Sequence, residues 1–253
     1  RLAGLTFPGT YALTARGYFH EFESTHDDLV HVSVKNHMHG FENQVAHLRK
    51  EVSFDKAKSG FMVADPLTLY DCCPTSDGAS AVILVADHLA HKFTDTPIWV
   101  KGSGAGSDHL ALHDRPSLTQ LRATQNAASK AYKTAGVSAS DIDLAEVHDC
   151  FTIAEVLATE DLGFAGRGLG GKFAREGQGR RNEGSVTINA SGGLKSKGHP
   201  LGATGSGQAV EIFKQLRHQV EAPRQVRDAE LGLTHNVGGS GATCAVHIFG
   251  RER

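Results

Sequence analysis

From about residue 97 onward the chain alternates strand-like and helix-like runs, and most of its strand-like runs close on a loop rich in glycine or polar residues. This alternation constrains the polypeptide more than any other feature, because strands separated by helices pack as a layered α/β fold. Residues 97–102 read as a strand, and the run Gly102-Ser103-Gly104-Ala105-Gly106-Ser107 that ends it reads as a hinge between two halves. Its GxGxG spacing is a poor dinucleotide fingerprint, since no helix follows promptly. Leu118, Leu121, Ala128, Ala131 and Tyr132 mark a helix, with Ser117 as N-cap and Gly136 just past its end. Then come a short strand over 142–147, a turn carrying His148, Asp149 and Cys150, and a helix over 152–162. A strand over 186–189, a helix over 208–219 and strands over 231–237 and 243–249 complete the order, the last two joined by Gly238-Gly239-Ser240-Gly241.

The first part of the chain is less regular. Residues 11–51 carry His20, His26, His31, His37, His39 and His47 among charged residues at helix-like spacing, which predicts two or three short helices. No HExxH pattern stands there, so these histidines are expected on solvated helix faces and no metal site is expected. Small and β-branched residues over 80–86 predict a buried strand. A chain of 253 residues with 40% hydrophobic content can bury a large core, as one domain or two. A formal net charge of −2 gives no basic excess for a nucleic acid or an anionic membrane. Four cysteines, two of them the neighbours Cys72 and Cys73, form neither a disulfide framework nor a CxxC pair, which fits a reducing cytoplasm. No apolar run reaches the length of a membrane span.

Three turns share one design: His148-Asp149-Cys150, the run from Gly192 to Gly205 that holds His199, and His235-Asn236 followed by residues 238–241. If their strands share a sheet, the turns converge and place a thiol, three imidazoles and rows of backbone N–H donors around one pocket. A thiol beside an imidazole is expected to gain thiolate and to move protons near neutral pH. Backbone N–H groups of glycine loops suit an oxyanion hole. Each part has a plainer reading: Cys150 as a small buried hydrophobe, His148 as a hydrogen-bonded core residue, residues 238–241 as a hairpin turn, and Lys195 and Lys197 as solvent-facing lysines. His199 is different, because core packing does not call for glycines at 192, 193, 198, 202 and 205 around it.

These segments resemble the thiolases, and within them the sterol-carrier-protein-2-type and archaeal thiolases. Val147-His148-Asp149-Cys150-Phe151 resembles the HDCF motif that replaces the NEAF motif of ordinary thiolases, and Gly192 to Gly205 resembles the GGxxxxGHPxGxxG loop. His235-Asn236-Val237-Gly238 resembles the HN-x-G segment that stands where other thiolases carry CxG. The resemblance extends back through residues 2–86, which look like the family's loop domain and the strand after it. It implies a layered αβαβα fold with an incomplete N-terminal half, divided as residues 1–95 and a C-terminal domain of residues 96–253.

The chemistry implied is Claisen condensation of acyl-CoA, or thiolysis of a 3-oxoacyl-CoA, with coenzyme A as substrate and no tightly bound cofactor. His199 would deprotonate the nucleophilic cysteine and help hold the thioester oxygen, and Cys150 would be the second acid/base. His148 would polarise the other thioester oxygen, His235 would support the pocket, and the Gly238 N–H would be an oxyanion donor. If the alignment slips by one, His235 takes the acid/base place instead. Cys73 would touch the pantetheine arm, with Arg49 and Lys195 as local cations for coenzyme A. A homodimer or homotetramer is implied, with a neighbouring acyl-CoA enzyme as a further partner.

The acyl-accepting cysteine motif of the family is not found at Cys72 or Cys73. The chain is therefore expected to be a fragment that does not turn over by itself. Two alternatives stand beside this reading: a noncatalytic thiolase-like subunit that binds acyl-CoA or lipid, or scaffolds, and a ketoacyl-synthase-like condensing enzyme using His148 and His199.

Overall fold

Two helices open the chain, each started by its own cap. Helix α1 (Phe7–Glu21) begins at Thr6, whose hydroxyl accepts the Gly9 N–H, and α2 (His26–Phe41) begins at a capping box of Thr25 and Asp28. A computed structural model describes residues 4–253, so Arg1 and Leu2, where the expected resemblance begins, lie outside the described residues. At 15 and 16 residues these helices are longer than the short ones expected. The expectation of solvated histidines also fails on α2, where His37 and His39 are buried. The reason is helical spacing: His37 shares the inward face with Val30, Ser33 and Gly40, three or four residues apart. Burial, helped by Lys195, pushes the His37 imidazole down to about 4, so it stays neutral.

A short helix α3 (Phe54–Lys58) follows, and then an antiparallel pair, β1 (Met62–Ala64) and β2 (Leu67–Thr68). Residues 80–86 do not form the buried strand expected. They pair with no strand, and Ile83 and Leu84 are 88% and 81% exposed. An apolar strand needs a ladder partner and cover on both faces, and among the described residues no segment supplies them.

The remaining chain builds one sheet from β3 (Trp99–Ser107), β4 (Leu144–Glu146), β5 (Thr187–Ile188), β6 (Leu231–Gly238) and β7 (Thr243–Gly250). Its spatial order is β3-β7-β6-β4-β5, antiparallel across the first two pairings and parallel where β4 meets β6 and β5. The helices between are α4 (Arg122–Ala135), α5 (Thr152–Asp161), α6 (Gly170–Arg175), α7 (Gly193–Ser196) and α8 (Thr204–Leu216). Adjacent residues of β4 point to opposite faces. Ala145 joins the core with Ala127 of α4 and Ala158 of α5, whereas Leu144 packs with Ile212 and Leu216 of α8. The sheet is therefore a middle layer between helices. Burying each such leucine or isoleucine side chain stabilises by about 1.5–3 kcal/mol.

The glycine run at 102–107 is not a hinge. It lies inside β3, and a Cβ on Gly102, Gly104 or Gly106 would stand 2.2, 2.0 or 2.1 Å from the carbonyl oxygens of Ala131, Ala127 and Ala123. Glycine alternates in the strand with the period that faces α4, and alanine recurs every fourth residue in the helix, so the two backbones meet directly. Ser117 does not cap α4 either. The helix starts after Leu121, whose N–H is accepted by Asp161 at 2.7 Å, and Gly136 closes it at φ +71°. No helix among the described residues is long and apolar enough to cross a membrane.

Candidate active site

Because β4 runs parallel to both β5 and β6, the three strands end on the same side of the sheet, and the turns leaving them converge there. Asp149, in the turn after β4, fixes this convergence. Its carboxylate accepts the Leu194 N–H at 2.7 Å and the Lys195 N–H at 3.2 Å from α7, and the Asn36 amide at 2.7 Å from α2. A Cβ on Gly193 would lie 2.3 Å from that carboxylate, and Gly193 also has φ +60°, so only glycine fits. Burial, with Glu155 close by, raises the Asp149 carboxyl to about 7, and the α7 N–H donors oppose that rise. Asn36 donates also to Glu155 at 2.8 Å. Asn189 donates to the same carboxylate oxygen at 2.8 Å, and Lys35 pairs with Glu155 at 3.1 Å.

Two imidazoles near this network are in contact. The rings of His148 and His199 lie 5.0 Å apart at 89°. The His199 Nδ1 lies 2.7 Å from the Thr204 hydroxyl, which itself donates to the Pro200 carbonyl at 3.0 Å. A hydroxyl has one proton, so Nδ1 carries the hydrogen and Nε2 keeps its lone pair. Half-burial and the Lys197 charge lower the His199 pKa, which keeps Nε2 able to accept a proton. His148 is 7% exposed, its Nδ1 has no partner, and burial followed by His199 and His235 pushes it down to about 3.

Both ring nitrogens of His235 are engaged. Its Nδ1 accepts the His148 backbone N–H at 3.3 Å and its Nε2 pairs with the Thr124 hydroxyl at 2.9 Å, so neither nitrogen is free. Burial pushes it down to about 3.

The thiol follows His148 by two residues. Cys150 is 7% exposed, and its carbonyl accepts the Cys73 N–H at 3.0 Å, which brings Cys73 beside it. The expected gain of thiolate does not occur. Burial drives the Cys150 thiol well above its ordinary value, and the neighbouring Tyr11 and the Phe151 N–H oppose that rise. Cys150 is thus held as a proton donor. Tyr11 reaches it from α1, stacked on Phe151 with ring centroids 4.5 Å apart. Cys73 is raised to about 12, mainly by burial.

Other expected residues scatter. Gly238 ends β6 opposite Thr243, and Arg49 is exposed on the segment after α2. Lys195 is 1% exposed and its Nζ donates to the Cys72 carbonyl at 2.7 Å, so it is not the solvent-facing cation expected. A cleft of about 760 Å³ lies near the same loop, lined by His47, Ser76, Lys197, Lys214 and Arg224, and the paired imidazoles do not line it. Tyr11, Asn36, Ser76 and Thr204 escaped the reading of the sequence. Asn36 alone left a trace, as a polar residue on the apolar face of a helix. No group of three metal-binding side chains occurs among the described residues.

Residues 104–251 match the family model described as Thiolase C-terminal domain-like. An acetyl-CoA acetyltransferase of Methanothermobacter thermautotrophicus is 50% identical over 248 residues, which cover 98% of this chain and 64% of that protein. Sterol carrier protein 2 of Bos taurus is 35% identical over 240 residues, covering 93% of this chain and 44% of that protein. The chain thus spans less than two thirds of the length of these relatives. Among solved structures, one titled Ltp2-ChsH2(DUF35) aldolase superposes with a TM-score of 0.87 at 24% identity, covering 99% of this chain and 65% of that one, a likeness of fold.

Proposed function

The chain belongs to the thiolase family, and from that premise we propose that it carries the acid/base groups of an acyl-CoA C-acyltransferase. One observation carries the proposal: two perpendicular imidazoles, His148 and His199, stand 5.0 Å apart, and His148 lies two residues along the chain from the buried thiol of Cys150. His199 Nε2, free and basic, takes the proton of the acyl-accepting thiol. The imidazolium so formed then donates Nε2–H to the thioester oxygen, where negative charge develops. Cys150, held as a thiol, is the proton donor to the acyl α-carbon in the cleavage direction; in condensation it first gives its proton to the departing coenzyme A sulfur, and the thiolate so formed takes the α-proton. His148 donates to the second thioester oxygen, and the pantetheine arm lies along Cys73. His235 acts through the backbone of His148.

None of Cys72, Cys73, Cys150 and Cys244 is assigned as the acyl acceptor. The proposal accordingly expects no turnover from these 253 residues alone. It expects turnover in the protein produced from its whole gene. Coenzyme A-dependent cleavage of acetoacetyl-CoA by that protein tests the reading. Cleavage supports it, whereas decarboxylation of malonyl-CoA without cleavage would favour a ketoacyl-synthase-like condensing enzyme.

A second reading, as a binding or scaffolding subunit, has support from the name of the structural neighbour, a complex with a DUF35 chain. Co-purification of this protein from its source with a second protein, together with no cleavage of acetoacetyl-CoA, is the outcome that reading expects.

A further inference from the structure

Residues 72–76 lie between the two loops that carry the proposed acid/base groups, and they pair with both. On one side Cys72 stands opposite Phe151 in an antiparallel bridge, and the Cys73 N–H donates to the Cys150 carbonyl at 3.0 Å. On the other side Thr75 stands beside His199 in a parallel bridge, and the His199 N–H donates to the Ser76 hydroxyl at 3.2 Å. From Cys72 to Thr75 the backbone can span at most roughly 10 Å. This segment is therefore a strut: its length sets how far the Cys150 loop stands from the His199 loop.

A strut needs an anchor, and Lys195 supplies it. The side chain is 1% exposed, and its Nζ donates to the Cys72 carbonyl at 2.7 Å. The same residue's backbone N–H donates to Asp149 at 3.2 Å. One residue thus ties the strut to the carboxylate that fixes the turn holding His148 and Cys150. An ammonium that binds a phosphate of coenzyme A must reach solvent, and this one does not. Burial lowers the pKa of this ammonium, and the nearby Asp71 and Asp149 carboxyls oppose that shift.

We infer that Lys195 is a positioning residue: by holding the Cys72 carbonyl it fixes the segment that sets the separation of Cys150 and His199. The inference rests on the acyltransferase reading for its effect on rate, but the strut itself can be observed without activity. Lys195→Met keeps the length of the stem and removes the donor, whereas Lys195→Arg keeps a donor.

In the protein produced from its whole gene, thiolysis of acetoacetyl-CoA by Lys195→Met is expected to lose on the order of 10² in kcat, as misplacement of reacting groups by about 1 Å does. KM for acetoacetyl-CoA should move by less than about threefold, and Lys195→Arg should recover about tenfold of the lost rate. Amide hydrogen exchange at Cys73 should quicken in Lys195→Met, because its bond to Cys150 loosens. Unchanged kcat, a rise in KM alone, or a Cys73 amide as protected as in the parent protein would each overturn the inference.

If Lys195→Met does not fold, Ser76→Ala cuts the opposite anchor. It is expected to lower kcat by about threefold to tenfold with KM held, and an unchanged kcat overturns the inference. A parent protein that folds but does not cleave acetoacetyl-CoA refutes the acyltransferase reading instead, and exchange at Cys73 still decides the strut.

Discussion

Two clusters of polar groups lie at the ends of β4, β5 and β6, and they differ in completeness. We call the one around Asp149 the lower and the one around His199 the upper. In the lower one Lys35, Asn36, Asp149, Glu155 and Asn189 all partner one another or the backbone. In the upper one His148 Nδ1 has no partner, and the Nε2 of His199 is left free by its bonding to Thr204. A satisfied network fixes geometry, because every change of position breaks a bond. We read the upper cluster as the place where substrate atoms complete the bonding, held in position by the lower one.

The sharpest way to break this comparison is to remove groups from the upper cluster and ask whether stability survives while activity does not. His199→Ala in the protein produced from its whole gene is expected to lose about 10³ to 10⁴ in kcat for acetoacetyl-CoA thiolysis, the upper range for a positioned base. Its melting temperature should stay within about 2 °C of the parent, since only the Thr204 bond is lost. Cys150→Ala is expected to lose about 10² to 10³ in kcat and, in the same proportion, the exchange of the acyl α-hydrogen with solvent measured by NMR.

The lower cluster should answer the other way. Asn36→Leu takes one donor from each of Asp149 and Glu155, which keep their other partners, and an unfolding titration should show a loss of about 1 to 3 kcal/mol. The smallest effect, taken per pH unit, is the pH dependence. His235 is neutral in the fold, with its pKa near 3, but takes up a proton near 6.5 when unfolded. Between those values the unfolded chain binds more protons, so stability is full above about 6.5 and falls on acidification, by at most about 1.4 kcal/mol per pH unit from this residue. His235→Gln should flatten that slope, and an unchanged slope would show that another group carries it.

Much of the fold was legible. The strands at 231–238 and 243–250 and the helix at 152–161 fall within a residue or so of their expected bounds, because period and end signals agree there. The two glycine runs were not told apart by composition. Gly192, Gly193 and Gly198 have φ of +96°, +60° and +112°, the backbone freedom expected of a tight loop. Gly102, Gly104 and Gly106 keep ordinary strand geometry and instead make room for α4, which no local signal reveals. Residues 80–86 looked like a buried strand because their composition records what they are suited to, and burial depends on a neighbour.

At the site, His148, Cys150 and His199 were visible as reactive side chains in glycine or strand-end turns. Tyr11 and Asn36 were not, since their roles come from helices brought in from more than a hundred residues away. Lys195 was misjudged for a related reason. A lysine in a glycine loop reads as solvated, and only the fold discloses the carbonyl of Cys72 that it serves.

The most direct test is a crystal structure of the protein produced from its whole gene with a dethia analogue of acetoacetyl-CoA, in which a methylene replaces the thioester sulfur. The result expected places one carbonyl oxygen within hydrogen-bonding reach of His199 Nε2 and the other within reach of the His148 ring, with the acyl α-carbon against the Cys150 sulfur. An analogue seated in the cleft beside Lys197 and Lys214, with both imidazoles untouched, would contradict it.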